Sequence, residues 1–143
     1  MPSILVAIDG SEQSLRALNK VIDGSALYKA PPEIHLATIH LPVPYAGRVS
    51  HAIGRDSLEQ YYREEEAQTL QPARDVLDRA GLKYSVHTAV GEPAEQINRI
   101  AEAHHCDQIV MGTHGRGRVG AMILGSVAQK LVHLAKIPVT LVP

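Results

Sequence analysis

The sequence predicts an α/β fold, an open five-stranded parallel sheet with helices on both faces. Five short runs rich in β-branched residues alternate with segments whose apolar residues recur at helical spacing. A length of 143 residues is typical of one domain, so residues 1–143 are expected to form a single unit. Hydrophobic residues make up 45% of the chain and charged residues 20%, a composition that excludes a disordered chain.

The first strand and helix are predicted at the start of the chain. Residues 4–8 (ILVAI) form an apolar run that ends at turn residues, as expected of a strand buried on both faces. Apolar residues at positions 15, 18, 21 and 22 then predict a helix, with Ser11 or Asp9 as its N-cap. Residues 34–41 (IHLATIHL) predict the second strand, which the following prolines end.

A long loop and a long helix are predicted next. Residues 42–56 show no period, and a loop of this length is often a functional lid or decides the choice of partner. The apolar positions from Ser57 to Ala80 predict an amphipathic helix that Pro72 kinks or breaks and Gly81 ends. Glu64, Glu65 and Glu66 are interpreted as its solvated face.

The remaining elements complete the alternation. Residues 84–90 and 107–111 predict strands, and Pro93 lies near the first turn of the helix between them. A last helix is expected to begin near Ser126 and a last strand to span residues 138–142. The side chains predicted to face inward from the last helix are Val127, Leu131 and Leu134.

Charge and cysteine content exclude several classes of protein. The 14 Lys and Arg residues balance 15 Asp and Glu residues, so nucleic acid is not an expected partner of the surface. The chain lacks an apolar run of membrane-spanning length and a signal-peptide pattern at its start, and no membrane association is expected. Cys106 is the single cysteine, which excludes an internal disulfide and favours a reducing, cytoplasmic location.

A glycine-rich segment, residues 112–126, lies between a predicted strand and a predicted helix, where open α/β sheets bind ligands. Gly115, Gly117 and Gly120 fit the dinucleotide-binding spacing, but no acidic residue follows Asp107 to hold a ribose. A Walker-type phosphate loop requires a lysine, and none occurs between Lys83 and Lys130. Both interpretations are therefore rejected.

Two interpretations of this segment remain open. In one, glycines at 112 and 115 let the backbone approach a polyphosphate, while Gly125 and Ser126 present a helix N-terminus to it. His114, Arg116 and Arg118 would add positive charge. In the other, the segment is a plain glycine-rich surface loop followed by a capped helix.

The pattern Gly112-x2-Gly115-x9-Gly125-Ser126 resembles the ATP-binding signature of the universal stress protein family. The opening ILVAIDGSEQS, the IHLATIHL strand, the VGEP turn at 90–93 and the final segment LGSVAQKLVHLAKIPVTLV resemble that family in the same order. The resemblance covers nearly the whole chain and is weakest over residues 43–80. It implies an ATP-binding protein of that family.

The resemblance also implies which positions meet the nucleotide. Asp9 matches an acidic residue on the ribose or adenine side, and Leu41 matches a position whose backbone meets the adenine edge. A turn or cap role for Asp9 is the alternative. The full set of predicted binding residues is Ala7, Ile8, Asp9, Leu41, Met111, Gly112, His114, Gly115, Arg116, Gly117, Gly125, Ser126 and Val127.

The function implied by the resemblance is that of a dimeric, nucleotide-dependent regulator of a stress response, acting on a protein partner that the sequence does not identify. ATP is the expected ligand, with AMP or ADP as alternatives and magnesium as a companion ion. Family members pair through the final strand, so residues 138–142 are expected to form a homodimer, with an edge covered within a monomer as the alternative. The alternatives in function are a slow ATPase or phosphotransferase, in which Asp9 assists magnesium, and a nucleotide-free dimeric scaffold.

Two other polar features suggest chemistry. His104, His105 and Cys106 are adjacent, but neighbouring residues at a helix end point in different directions, so a helix-end role is predicted and no metal site is expected. His40 lies within an apolar run and is predicted to be a packed, hydrogen-bonded histidine.

Overall fold

The computed structural model describes residues 1–42, 55–114 and 124–143. Within these residues five strands form one parallel sheet in the order β3-β2-β1-β4-β5. They are β1 (Ser3–Ala7), β2 (Glu33–His40), β3 (Tyr84–Val90), β4 (Gln108–Gly112) and β5 (Val139–Val142). The predicted five-stranded parallel sheet is therefore confirmed.

Helices cover both faces of this sheet, as the sequence predicted. They are α1 (Glu12–Gly24), which a short 3-10 turn (Ser25–Leu27) follows, α2 (Arg55–Ala80), α3 (Pro93–Ala103) and α4 (Ser126–Leu134). Ile4 and Val6 of β1 pack with residues of α1 and α2 on one face. Leu5 packs with residues of α3 and α4 on the other. Side chains of successive strand residues point to opposite faces, so the apolar runs supply two cores at once.

The first helix begins where one of its two predicted caps lies. Ser11 is the N-cap of α1, and its Oγ accepts a hydrogen bond from the Ser14 backbone N–H at 3.1 Å. Such a cap satisfies one of the four free N–H groups at a helix start. Ser11 therefore performs the capping role, and Asp9 supports it.

The second helix runs through the proline that was expected to interrupt it. Helix α2 is continuous from Arg55 to Ala80 with Pro72 inside, so the predicted alternative of a break is wrong. Pro72 is exposed, whereas Leu70, Ala73 and Leu77 on either side are buried in the core against α1 and the sheet. Burial of two leucines offsets the roughly 3 kcal/mol that an interior proline costs. At the far end Gly81 has a φ of 68° and ends the helix as predicted.

Two further predictions differ from the structure. The predicted loop 42–56 is shorter than expected because residues 55 and 56 belong to α2, and residues 43–54 lie outside the described part. In α4, Leu131 is buried, but Leu134 is 37% exposed at the last residue of the helix, so its predicted inward position is wrong. Val127, in the first turn, is partly buried and packs against the core as predicted, and Ala128 beside it is buried. Among the described residues no helix is long and apolar enough to cross a membrane.

Candidate functional site

A cavity of about 560 Å³ opens at the carboxyl ends of β1, β2 and β4. The chain runs from β1 outward to β2 and β3 and then returns to place β4 on the other side of β1. This reversal separates the loops that leave β1 and β4, and it is where open α/β sheets hold their ligands. The sheet order by itself therefore places the cavity.

Ten of the thirteen predicted binding residues line this one cavity. They are Ala7, Ile8, Asp9, Leu41, Met111, Gly112, His114, Gly125, Ser126 and Val127. The other three, Gly115, Arg116 and Gly117, lie outside the described residues, as does Arg118. Positions from four separate stretches of chain thus meet at one place.

One wall of the cavity is the turn between β1 and α1. Asp9 Oδ1 accepts hydrogen bonds from the backbone N–H and the hydroxyl of Ser11. The turn role proposed as the alternative for Asp9 is therefore realised, and the same residue also lines the cavity. Both bonds use Oδ1, and Oδ2 forms no hydrogen bond with any of the described residues.

The opposite corner joins the end of β4 to the start of α4. The Thr113 N–H donates to the Val142 carbonyl at 3.0 Å, and the Thr113 carbonyl accepts from the Gly125 N–H at 2.7 Å. Gly125 is the N-cap of α4 with φ −62°, and no side chain of the described residues caps the helix. Ser126 begins the helix and is exposed at the cavity. The first-turn N–H groups and the helix dipole therefore favour an anion here.

Gly112 has a structural role that the sequence interpretation missed. A Cβ atom at this position would lie 2.9 Å from Gln13 Cβ and 3.1 Å from the Gln13 backbone carbon. The glycine was expected to admit a ligand, but its immediate neighbour is helix α1. Its absent side chain therefore lets β4 pack against α1, and this packing positions the floor of the cavity.

Helix α2 contributes another wall of the cavity, and its contacts differ from the predicted solvated face of three glutamates. Glu65 Oε2 lies 3.2 Å from His40 Nδ1, and Glu66 Oε1 lies 2.9 Å from His40 Nε2. His40 is buried and hydrogen-bonded, as predicted. Glu65 and Glu66 are half-buried and bind this buried imidazole, so the predicted solvated face is wrong for both. Glu64 is exposed, and it accepts a hydrogen bond from Gln60.

Several residues that line the cavity were not predicted. Two groups of them show a sequence pattern that could have identified them. Tyr61, Glu65 and Thr69 recur every fourth position of α2, so they form one stripe along the helix that faces the cavity. Thr38 and His40 alternate at the carboxyl end of β2, where ligand-facing residues are expected. The remaining unpredicted lining residues are Ser14, Ala37, Ile39, Pro42, Pro93, Ile97, Thr113 and Ala128.

Helix α3 also begins at the cavity, where Pro93 and Ile97 line it. The Glu92 carboxylate caps this helix by accepting from the N–H groups of Ala94 and Glu95. Partial burial opposes ionisation, but these bonds and the Lys130 ammonium together hold the pKa of Glu92 below its ordinary value. Lys130 of α4 lies 3.3 Å from Glu92, so the ion pair joins the starts of α3 and α4.

Comparisons with known proteins agree with the fold. The sequence pattern of the universal stress protein family matches residues 1–143. A universal stress protein of Thermus aquaticus is 37% identical over 150 residues, covering 98% of this chain and 97% of the relative. The structure is similar to that of MJ0577 of Methanocaldococcus jannaschii, with 28% identity, a TM-score of 0.81, and coverage of 99% of this chain and 94% of the other.

A second similar structure contains a nucleotide. The Arabidopsis thaliana universal stress protein family structure with AMP bound has a TM-score of 0.70 at 16% identity, and the match covers 99% of this chain and 91% of that one. At this identity the similarity shows a shared fold alone. Since the family pattern spans the entire sequence, this chain belongs to the universal stress protein family.

Proposed function

We propose that this protein binds ATP in the cavity between β1 and β4 and acts as a dimeric, nucleotide-dependent regulator of a stress response. The observation that carries the proposal is the convergence of ten predicted residues on one cavity that ends at the N-terminus of α4, which no side chain of the described residues caps. A volume of about 560 Å³ is in the range of sites that bind small molecules.

The phosphate groups are assigned to the corner formed by Gly125 and Ser126. The first-turn N–H groups of α4 point out of the helix start, and the Ser126 hydroxyl is an additional donor. Asp9 and Glu65 place negative charge elsewhere on the cavity wall. A polyphosphate is therefore stabilised at α4 and repelled from the side of β1 and α2.

The base and ribose are assigned to the side of β1 and β2. Ala7, Ile8 and Leu41 offer apolar surface there, and Leu41 is 68% exposed. Oδ2 of Asp9 is available to accept a hydrogen bond from a ribose hydroxyl. The AMP bound by the Arabidopsis protein supports an adenine nucleotide as the ligand class. AMP and ADP are the alternatives to ATP, and magnesium is expected to accompany a triphosphate.

The proposal is tested by calorimetric titration of ATP into the wild type and Gly125→Val. Gly125 has φ −62°, which valine can adopt, but the residue is buried, so circular dichroism and urea unfolding check that the variant folds. Its branched side chain would occupy the approach to the α4 N–H groups, so we expect ATP affinity to fall at least about 100-fold, or about 2.7 kcal/mol.

Gly24→Val is the matched control, because a Cβ at Gly24 meets nothing within 4 Å. It should bind ATP as the wild type does. Equal affinity in the wild type and Gly125→Val would contradict the proposed site. Mass spectrometry of the freshly purified, denatured protein adds an independent test, since co-purified ATP, ADP or AMP would exclude a nucleotide-free scaffold.

The dimer is assigned to β5, which is an edge strand of the described sheet and exposes Thr140. An unpaired edge offers a row of N–H and carbonyl groups to a second copy of the same strand. Light scattering that gives the mass of one 15.5 kDa chain would contradict this assignment. The single cysteine supports a cytoplasmic location.

A further inference from the structure

Three histidines from separate parts of the chain meet on the face of the sheet that α3 covers. His35 lies in β2, His87 lies in β3, and His104 is the C-cap residue of α3. Each offers a ring nitrogen, and these three nitrogens all lie within 4.8 Å of one another. We call this group the three-histidine cluster.

The strand register explains why two of the rings meet. In the parallel pairing of β2 with β3, His87 is opposite Ala37, two residues along β2 from His35. Residues two apart on a strand share one face, so the imidazoles are diagonal neighbours. The ring centroids of His87 and His104 are 3.9 Å apart, which brings the end of α3 onto the same pair.

The hydrogen bonds of His35 indicate how its ring is used. His35 Nδ1 lies 2.9 Å from His87 Nε2, so one of these two nitrogens carries a proton that both share. His35 Nε2 is buried and forms no hydrogen bond within the described part of the chain, although Glu33 Oε1 lies 3.5 Å away. A proton on Nε2 directed at Glu33 leaves the Nδ1 lone pair for the interior of the cluster.

We propose that the three-histidine cluster is a binding site for a divalent transition-metal ion, and that Zn²⁺ is the ion it fits. Tetrahedral zinc with bonds of about 2.0–2.1 Å to imidazole nitrogens places those nitrogens about 3.3 Å apart. The separation of 2.9 Å between His35 and His87 is close to this value. His104 is exposed at a helix end, where its side chain can turn to complete the set.

The surroundings match those of a metal-binding histidine. A ligating imidazole commonly directs its second ring nitrogen at a carboxylate, which is the relation between His35 and Glu33. Burial, and to a smaller extent the neighbouring imidazole of His104, lower the pKa of His87 and favour the neutral ring that binds metal. On binding, His87 Nε2 releases its proton to solvent while Nδ1 of the same ring takes one up, so the imidazole stays neutral and the Nε2 lone pair is freed for the ion.

The site is open enough for an ion and a water molecule. His87 is half-buried and His104 is exposed, so one side of the cluster faces solvent. Three protein ligands leave a fourth tetrahedral position that water can fill. Such an ion would join β2, the edge strand β3 and the end of α3, at the opposite end of α3 from the proposed nucleotide cavity.

The experiment is a titration of the full-length protein with Zn²⁺ in competition with a chromophoric chelator. We expect one equivalent to bind the wild type, and we expect His104→Gln and His87→Gln to weaken it by at least about 100-fold, because loss of a ligand exceeds the 10–100-fold effect of losing a ligand's hydrogen-bond partner. Glu33→Gln should weaken it about 10-fold.

His105→Asn is the matched control. His105 is adjacent to His104, has a φ of 51° that asparagine tolerates, and is not one of the three clustered residues. It should bind Zn²⁺ as the wild type does. Because His104 is exposed, His104→Gln is expected to fold even if His87→Gln does not, and circular dichroism checks both.

A second readout is the set of imidazole nitrogen resonances. One equivalent of Zn²⁺ should shift those of His35, His87 and His104 and leave those of His105 and His133 in place. Equal zinc affinity in the wild type and His104→Gln, or zinc-dependent shifts confined to other histidines, would overturn the proposal.

Discussion

The cavity proposed to bind a nucleotide and the three-histidine cluster lie at opposite ends of helix α3 and are built in different ways. The cavity depends on main-chain features, namely the turn after β1, the end of β4 and the first turn of α4. The cluster depends on three side chains whose positions in the sequence are 35, 87 and 104. Glycines, caps and turns leave a local pattern in the sequence, whereas a convergence of distant side chains leaves none.

The two regions also differ in what holds them together. Backbone hydrogen bonds of Thr113 join β4, β5 and α4 beside the cavity, so its shape is part of the folded sheet. The cluster instead rests on the register between β2 and β3 and on the place where α3 ends. Substitutions at the floor of the cavity should therefore lower the stability of the whole fold. Substitutions at exposed positions of either region should change ligand affinity and leave stability unchanged.

The largest expected effect is that of Gly112→Val, which tests whether packing or ligand approach requires this glycine. A Cβ at this position would lie 2.9 Å from Gln13 Cβ, so the two γ-methyl groups of valine would overpack the contact between β4 and α1. We expect the free energy of unfolding to fall by about 3 kcal/mol in urea titrations, with Gly112→Ala in between. Unchanged stability together with lost ATP binding would show that the ligand, and not α1, requires the glycine.

A smaller effect is expected for Ser126→Ala, which removes a proposed ligand contact without removing a helix cap. Ser126 is exposed and follows the N-cap Gly125. ATP affinity should therefore fall by about 1–2 kcal/mol, the value of one charge-assisted hydrogen bond, while stability stays the same. Ser57→Ala, an exposed serine of α2 away from the cavity lining, is the control. Equal ATP affinity in both variants would show that the Ser126 hydroxyl does not contact ATP.

The smallest effect concerns Cys106, which lies two residues from His104 in sequence and is buried in the core on the face of the sheet that α3 covers. Burial raises the pKa of the Cys106 thiol above its ordinary value, so less thiolate forms at pH 8 than in an exposed cysteine. Alkylation by iodoacetamide should be at least about tenfold slower in the folded protein than in urea, and raising the pH to 9 should only partly close the gap. Equal rates would place Cys106 at the surface.

The elements of the fold were largely predictable because their signals are local. Strand β3 has the predicted bounds. Ser11 caps the start of α1 and Gly81 ends α2, as predicted. The continuity of α2 through Pro72 was not predictable from propensity, because the burial of Leu70 and Leu77 decided it. A tertiary contact therefore overrode a local preference.

The candidate site divides in the same way. The stretches around Asp9 and Gly125 were recognisable in sequence because turns and helix starts use few residue types. The pairing of Glu65 and Glu66 with His40 was not, because a run of glutamates has the same pattern whether it faces water or a buried imidazole. The side of α2 that packs on the sheet decides whether these glutamates face water or His40.

The sequence by itself determined the alternation of strands and helices, the caps that limit them, and the glycine-rich segment that follows β4, since each depends on neighbours within a few positions. Only the tertiary structure decided that Gly112 packs on Gln13 and that His35, His87 and His104 meet. Those contacts depend on strand register and helix placement, which are set by the burial of two cores together and are not encoded at any one position.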